Sequence, residues 1–342
     1  MKVVRPARLA DLPRLVELVA GAGASLTSLP PDAGRLAERI GASESSFAGR
    51  SAKADETYLF VLEDLPTGRL AGTCGIDAAV GLRQAWYSYR VGLAVHASQE
   101  LGVFTRTPTL FLSNDHTGQS ELCSLLLHPD FRQGGLGALL SKSRFLFMAE
   151  HRARFAAKII AELRGVVDDS GRSPFWEGLG RHFFSMDFSR ADYLTGIGKK
   201  SFVAELMPQY PLYTKLLAPE AQAVIGRTHE DTVPARRLLE QEGLRYEGLV
   251  DIFDAGPVIE CDVDDVGAIR RSRRLATRVG PRAGEARWLV SNTGLADFRA
   301  LLVEGGPEGD AYGLPESVLA ALAVKTGDPV RAVALSPADR RG

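Results

Sequence analysis

Two hydrophobic rhythms share the first half of the chain. KVVRPA (2–7) is an apolar run of strand length. Leu12, Leu15, Leu18 and Val19 then recur at three- and four-residue spacing, which predicts a helix capped by Asp11 with Pro13 just inside it. GASLTSLPPD reads as a turn-rich loop and PDAGRLAERIGASESSFAG as a second helix. TYLFVLEDL and RLAGTCGIDAAVG flank a PTGR turn and predict a hairpin. WYSYRVGLAVHAS, TPTLFLSND and SELCSLLLH continue the β pattern. A long helix follows over GALLSKSRFLFMAEHRARFA, then a strand over KIIAELRGVV.

After Asp168 the pattern changes. SGRSPFWEGLGRHFFSMDF is compact and aromatic, with Phe175 and Trp176 expected in the core. Residues 190–228 read as short helices broken by Pro and Gly, an insertion in the main domain. TVPARRLLEQEGLRYEGLVDIFD predicts a helix ending at Gly243 and a strand beyond it. From Pro257 the runs PVIECDV, RSRRLATRV, ARWLVSN, DFRALLV and PVRAVAL alternate as short strands. The expected division is therefore a main domain over 1–256 and a small β-rich subdomain over 257–342. The fold class is α/β (α+β), a mixed, mostly antiparallel sheet flanked by helices. The basic patch Arg270, Arg271, Arg273 and Arg274 is read as a solvated face.

Composition narrows the function classes. With 342 residues, 45% hydrophobic and 24% charged, the chain can bury a sizeable core. A net charge of −1 favours neither nucleic acid nor an anionic membrane, so any bound anion needs a local site. Cys74, Cys123 and Cys261 form no CxxC pair and read as small core residues, with neither a disulfide framework nor a metal site expected. No N-terminal apolar block or membrane-spanning run is present in the sequence, and a cytoplasmic location is the expectation.

One motif carries chemistry. In HPDFRQGGLGALL (128–140) a strand leads through Arg132, Gln133, Gly134, Gly135 and Gly137 into the long helix. A helix start leaves backbone N–H groups without intrahelical partners, and the dipole adds positive character there. Glycine lets that backbone approach an oxyanion, so the position suits phosphate. The Gly-Lys-Ser/Thr ending of a P-loop is absent, and the spacing does not match a dinucleotide fingerprint. The remaining pattern, R-x-x-G-x-G between strand and helix, resembles the pyrophosphate loop of the GCN5-related N-acyltransferases.

The resemblance extends further. SLTSLP, LSNDHTGQSELCSLLLHPDFR, SPFWEGLGRHFF, QAVIGRTHEDTVPARRLLEQEGL and DIFDAGPVIECDVD are similar to the arginine N-succinyltransferases, from the first strand to about Arg274. This resemblance implies transfer of succinyl from succinyl-CoA to the α-amine of arginine, or of ornithine, as the first step of arginine degradation. It also implies a homo-oligomer or pairing with a paralogous subunit. Arg132, Gln133, Gly134, Gly135, Gly137 and Ala138 would hold the cofactor. Leu125 matches the family's succinyl-CoA position and His229 its proton donor.

Direct acyl transfer to an amine needs a held cofactor, a deprotonated amine, a stabilised oxyanion and a proton for the departing thiolate. Glu121 is the leading base, with Asp115 and His116 as alternatives. Asp251, Asp254 and Glu260 are open choices for recognising a guanidinium. Arg90 and Arg227 are open choices for the succinyl carboxylate, and Ser25–Pro30 would cap the substrate side. Two other readings stay open: an acetyl-CoA-dependent transferase, and a non-catalytic CoA-binding subunit.

Overall fold

The computed structural model describes residues 1–21, 29–196 and 201–335. The elements run β1 (Lys2–Pro6), α1 (Leu12–Ala20), α2 (Ala33–Phe47), β2 (Thr57–Asp64), β3 (Arg69–Asp77), β4 (Ser88–Ser98), β5 (Val103–Ser113), β6 (Ser120–Leu127), α3 (Leu136–Glu150) and β7 (Lys158–Glu162). There follow α4 (Arg181–Phe184), α5 (Phe188–Gly196), α6 (Ser201–Leu206), β8 (Leu212–Tyr213), α7 (Pro219–Val224), α8 (Val233–Glu240), β9 (Arg245–Val250) and β10 (Pro257–Asp262). The last part holds α9 (Gly267–Arg271), β11 (Arg273–Val279), β12 (Ala283–Asn292), β13 (Ala300–Gly306), β14 (Ala311–Leu314), α10 (Glu316–Leu322) and β15 (Pro329–Ala334).

All strands join one mixed sheet in the order β14-β11-β15-β12-β13-β1-β2-β3-β6-β7-β10-β9-β4-β5-β8. Among the described pairings only β6–β7 and β11–β14 are parallel, so the expected mixed, mostly antiparallel sheet is what forms. The helix α3 lies at its centre. Every residue from Leu139 to Met148 is buried, because strands of the main sheet, β12 and α8 surround it. Phe147 packs edge-to-face with Phe47, Tyr58, Phe60 and Phe298, which ties α2, β2 and the C-terminal part to α3.

Several sequence expectations need correction. β10 does not begin the C-terminal part. It pairs with β7 on one side and β9 on the other, so a boundary at 256/257 would cut through the main sheet. An alternating pattern reports a strand but not its neighbours. The C-terminal part starts with β11, contains the helix α10, and joins the main sheet through Val4 opposite Ala300. α3 stops at Glu150 rather than continuing to Ala156. There the Arg152 guanidinium takes the carbonyls of Phe155 and Ala156 and closes a 3-10 turn. β5 starts at Val103, earlier than expected, and forms a long ribbon with β4.

Asp11 does not cap α1 with its side chain. Its buried carboxylate receives both terminal nitrogens of Arg5, at 2.7 and 2.9 Å, and the Arg8 amide at 2.9 Å. Burial opposes ionisation of Asp11, yet the hydrogen bonds from Arg5 and Arg8 and the Arg5 charge hold its pKa below the usual range. That contribution is present above the unfolded pKa of about 3.9 and is lost as pH falls through the lower folded value. Among the described residues, Arg5→Met leaves Asp11 with only the half-exposed Arg14 as ion partner. Urea unfolding at pH 7 should show a loss of about 3 kcal/mol. Asp11→Asn should flatten the fall of stability below pH 4.

Candidate active site

The site is built around an irregularity in β6. Ser124 has φ +55°, a left-handed conformation that L-residues seldom adopt. Register with β3 shifts beside it, between Thr73 and Gly75. β6 pairs with β7 only at Ser120 and Glu121, opposite Ile159 and Ile160. Leu125 has no register partner on either neighbouring strand. Beyond the bulge the two parallel strands therefore part, and their opening faces the mouth of α3.

At that mouth Gly134 and Gly135 both have positive φ, +62° and +75°, and Gly135 is the N-cap of α3. The amides of Gly137 and Ala138 lie in the first helical turn, where no intrahelical acceptor exists. Arg287 from β12 donates to the Gly134 carbonyl at 2.7 Å and holds the loop from behind. A Cβ on Gly135 would come within 3.1 Å of Arg287 Nη1 and Leu335 Cδ2. Arg132 is exposed, with its Nε donating to the Leu127 carbonyl at 3.3 Å. A groove of about 630 Å³ starts here. Leu125–Leu127, Arg132, Gln133, Gly135 and Gly137 form one wall, and Asp231 to Leu238 contribute the other.

The groove leads into a cavity of about 220 Å³, and the two share Leu125, Thr232 and Ala235 as walls. Glu121, Glu162, Asp192, Asp251 and Asp254 line the cavity together with Arg144 and Arg164. Burial, with the Asp251 charge adding to it and Arg164 opposing, pushes the Asp192 carboxyl up to about 7. Asp254 is raised well above the usual range, first by burial and then by Asp251. Its carboxylate is held by the amides of Gly165 at 2.7 Å and Gly256 at 2.8 Å. Asp251 Oδ1 accepts the Phe253 and Asp254 amides at 2.6 and 2.8 Å.

Glu121 is buried, and one of its oxygens lies within 4.8 Å of ligand atoms of Asp77 and Cys123. A cation already stands in that group. Arg39 lies 2.8 Å from Asp77 Oδ1 and 3.2 Å from Cys123 Sγ. Burial pushes the Cys123 thiol up, and the Asp77 charge adds to this, which makes it a poor nucleophile.

His229 heads the 3-10 turn Glu230–Thr232, of which Asp231 and Thr232 line the groove. Its amide donates to the carbonyl of Arg164, a cavity residue, at 2.8 Å. Nδ1 accepts the Asp231 amide at 3.2 Å, so neutral His229 carries its proton on Nε2. His128 forms the same turn at the loop, with Nδ1 accepting from the Asp130 amide at 3.2 Å.

The other candidates separate. Asp251 and Asp254 line the cavity, but Glu260 does not. Its carboxylate bonds His116 Nε2 at 2.7 Å and pairs with Lys158, and these partners hold its pKa down at about 2. His116 is thereby committed as well. Asp115 and Arg90 pair with each other at 2.7 Å, both exposed. Arg227 is exposed and, like the half-buried His229, lines neither space. Leu29 and Pro30 are described, but Ser25–Ser28 lie outside the described residues. Sequence reasoning missed Asp192, Arg144 and Arg287, which sit in no motif, and the bulge at Ser124, where no glycine marks the positive φ.

The chain matches the family described as arginine N-succinyltransferase beta subunit over residues 2–268, and that family's C-terminal domain over 271–334. It is 52% identical to an arginine N-succinyltransferase of Enterobacter sp. (strain 638), over 99% of each chain. It is 53% identical to an arginine N-succinyltransferase of Citrobacter koseri, over 98% of each. Among solved structures, the arginine/ornithine succinyltransferase subunit AI from Pseudomonas aeruginosa superposes with a TM-score of 0.91 at 37% identity, covering 98% of this chain and 99% of that one. With its parted parallel strands, its glycine loop at the helix mouth and these full-length matches, the chain belongs to the arginine N-succinyltransferase family.

Proposed function

We propose that this chain transfers the succinyl group of succinyl-CoA to the α-amine of arginine. The observation that carries the reading is a single path. A groove starting at the α3 mouth runs past Leu125, which has no register partner on β3 or β7, into a cavity lined by acids. Family membership supplies the donor class, an acyl-coenzyme A thioester. Its pyrophosphate would rest on the amides of Gly135, Gly137 and Ala138, with Gln133, Gly134 and Arg132 beside it. The pantetheine arm would pair with the backbone of β6 beyond Ser124. The thioester would then lie at Leu125, whose backbone N–H, left without a register partner by the bulge, would stabilise the oxyanion.

The acceptor enters from the cavity. Its guanidinium would meet Asp192 and Asp251; burial raises the Asp192 and Asp254 carboxyls, and a bound cation would favour their ionised forms. The side-chain ammonium of ornithine offers the same charge. Glu121 draws the proton from the α-amine, directly or through water, and the free amine attacks the thioester carbon. The tetrahedral adduct collapses to the amide, and His229 Nε2–H protonates the leaving thiolate. The acids arrayed in this cavity favour an amino-acid acceptor over a non-catalytic role. A cytoplasmic location and assembly with copies of itself or a paralogous subunit belong to the same proposal.

The direct test is an assay of the purified chain with succinyl-CoA against arginine, ornithine and lysine. Succinylarginine formation supports the reading, and its absence in both the isolated chain and the assembled complex rejects it. His229→Ala should lower kcat by roughly 100-fold or more while calorimetry finds CoA affinity within about 2-fold of the parent. Asp192 binds the acceptor only as a carboxylate, so KM for arginine should fall as pH rises from 6 to 8 through the pKa of about 7. In Asp192→Asn that pH dependence should largely vanish and KM at pH 8 should rise by roughly 10-fold.

A further inference from the structure

Arg144 is unlike the other deeply buried cations. It is 1% exposed, in the middle of α3, and it is among the residues that line the cavity. Arg5 is paired with Asp11 and Glu63. Lys142 Nζ is 2.7 Å from Glu242 Oε1, within ion-pair reach. Arg144 has only neutral partners among the described residues. Nε donates to the Ser141 carbonyl and Nη2 to the Ser141 hydroxyl, both at 3.1 Å. Nη1 reaches the carbonyls of Gly75 and Cys123 only at 3.5 Å. Burial lowers its pKa, and no carboxylate opposes that. A buried cation without a counter-charge is costly, and a folded chain keeps one where a ligand completes it.

The position of the charge says what the ligand would be. Cys123 is the residue before the bulge at Ser124, and the thioester site of the proposed reaction is at Leu125, next along the strand. Three C–C bonds of about 1.5 Å carry a succinyl carboxylate at most about 4 Å beyond its thioester carbon. Thr195 provides a second open group. Thr195 lines the same cavity, and its buried hydroxyl has no hydrogen-bond partner among the described residues.

Resting on the succinyl-transfer reading, we propose that Arg144 receives the distal carboxylate of the acyl group, with Thr195 beside it, and so selects dicarboxylic acyl donors over neutral ones. The ordinary alternative is that Arg144 only ties the bulge carbonyls of Gly75 and Cys123. The two differ in donor selectivity. With arginine as acceptor, kcat/KM is measured for succinyl-CoA and acetyl-CoA in the parent, Arg144→Lys and Arg144→Met. Arg144→Met should lose roughly 100-fold with succinyl-CoA and less than about 3-fold with acetyl-CoA, and Arg144→Lys should recover part of the difference. Equal losses with both donors, or an unchanged ratio, overturn the proposal.

A structure of the parent protein with a thioether analogue of succinyl-CoA needs no variant to fold. The carboxylate should lie within hydrogen-bond distance of the Arg144 guanidinium, and a carboxylate seated elsewhere overturns the assignment. If the parent transfers neither acyl group, the functional reading fails and the analogue structure still decides the role of Arg144. If transfer proceeds with an unaltered donor ratio, only this inference fails.

Discussion

The left-handed backbone at Ser124 is the constraint on which the site depends. A conformation of this kind in a non-glycine residue costs about 1–2 kcal/mol, and it persists only where the surroundings impose it. Here β3 holds β6 on both sides of the bulge. The return on that strain is geometric. A regular strand would keep pairing with β7 and close the space in front of α3. The bulged one turns Leu125 out of the ladder and joins the groove to the cavity.

Charge is zoned along the path, although the chain as a whole carries only −1. Backbone amides and Arg132 stand at the groove end, and carboxylates crowd the cavity end. The crowding is sustained by close backbone approach. A Cβ on Gly165 would lie 2.3 Å from the Asp254 carbonyl oxygen, and one on Gly256 would lie 2.0 Å from the Leu163 carbonyl oxygen. These two glycines let their amides reach Asp254 while their chains pass almost in contact. The acids are thus fixed before any cation arrives, and little reorganisation remains when one binds.

Much of this was legible in the sequence, and the reasons differ by feature. Gly134 and Gly135 announce a helix mouth because little else tolerates positive φ there. The strands of the main sheet show as apolar runs, and the full string of motifs carries the family. Ser124 announces nothing, since a serine is equally at home in a regular strand. Glu260 looked equivalent to Asp251 and Asp254 because strand partners are invisible in one dimension. Only the fold shows that His116 and Lys158 hold it elsewhere. Arg144 is hidden for the opposite reason. An arginine in a helix ordinarily faces water, and α3 is enclosed on every side.

That enclosure gives the C-terminal strands a part in the site. Arg287 of β12 anchors the Gly134 carbonyl, and Lys142 of α3 donates to the Leu335 carbonyl at 2.8 Å, just past β15. The Leu335 amide in turn donates to the Arg287 carbonyl at 2.9 Å. These three bonds form a closed brace from the glycine loop, through two C-terminal segments, to the second turn of the same helix. A loop of adjacent glycines has much conformational entropy to lose when it binds an anion. The brace removes part of that freedom beforehand, so the C-terminal strands help to hold the loop in shape.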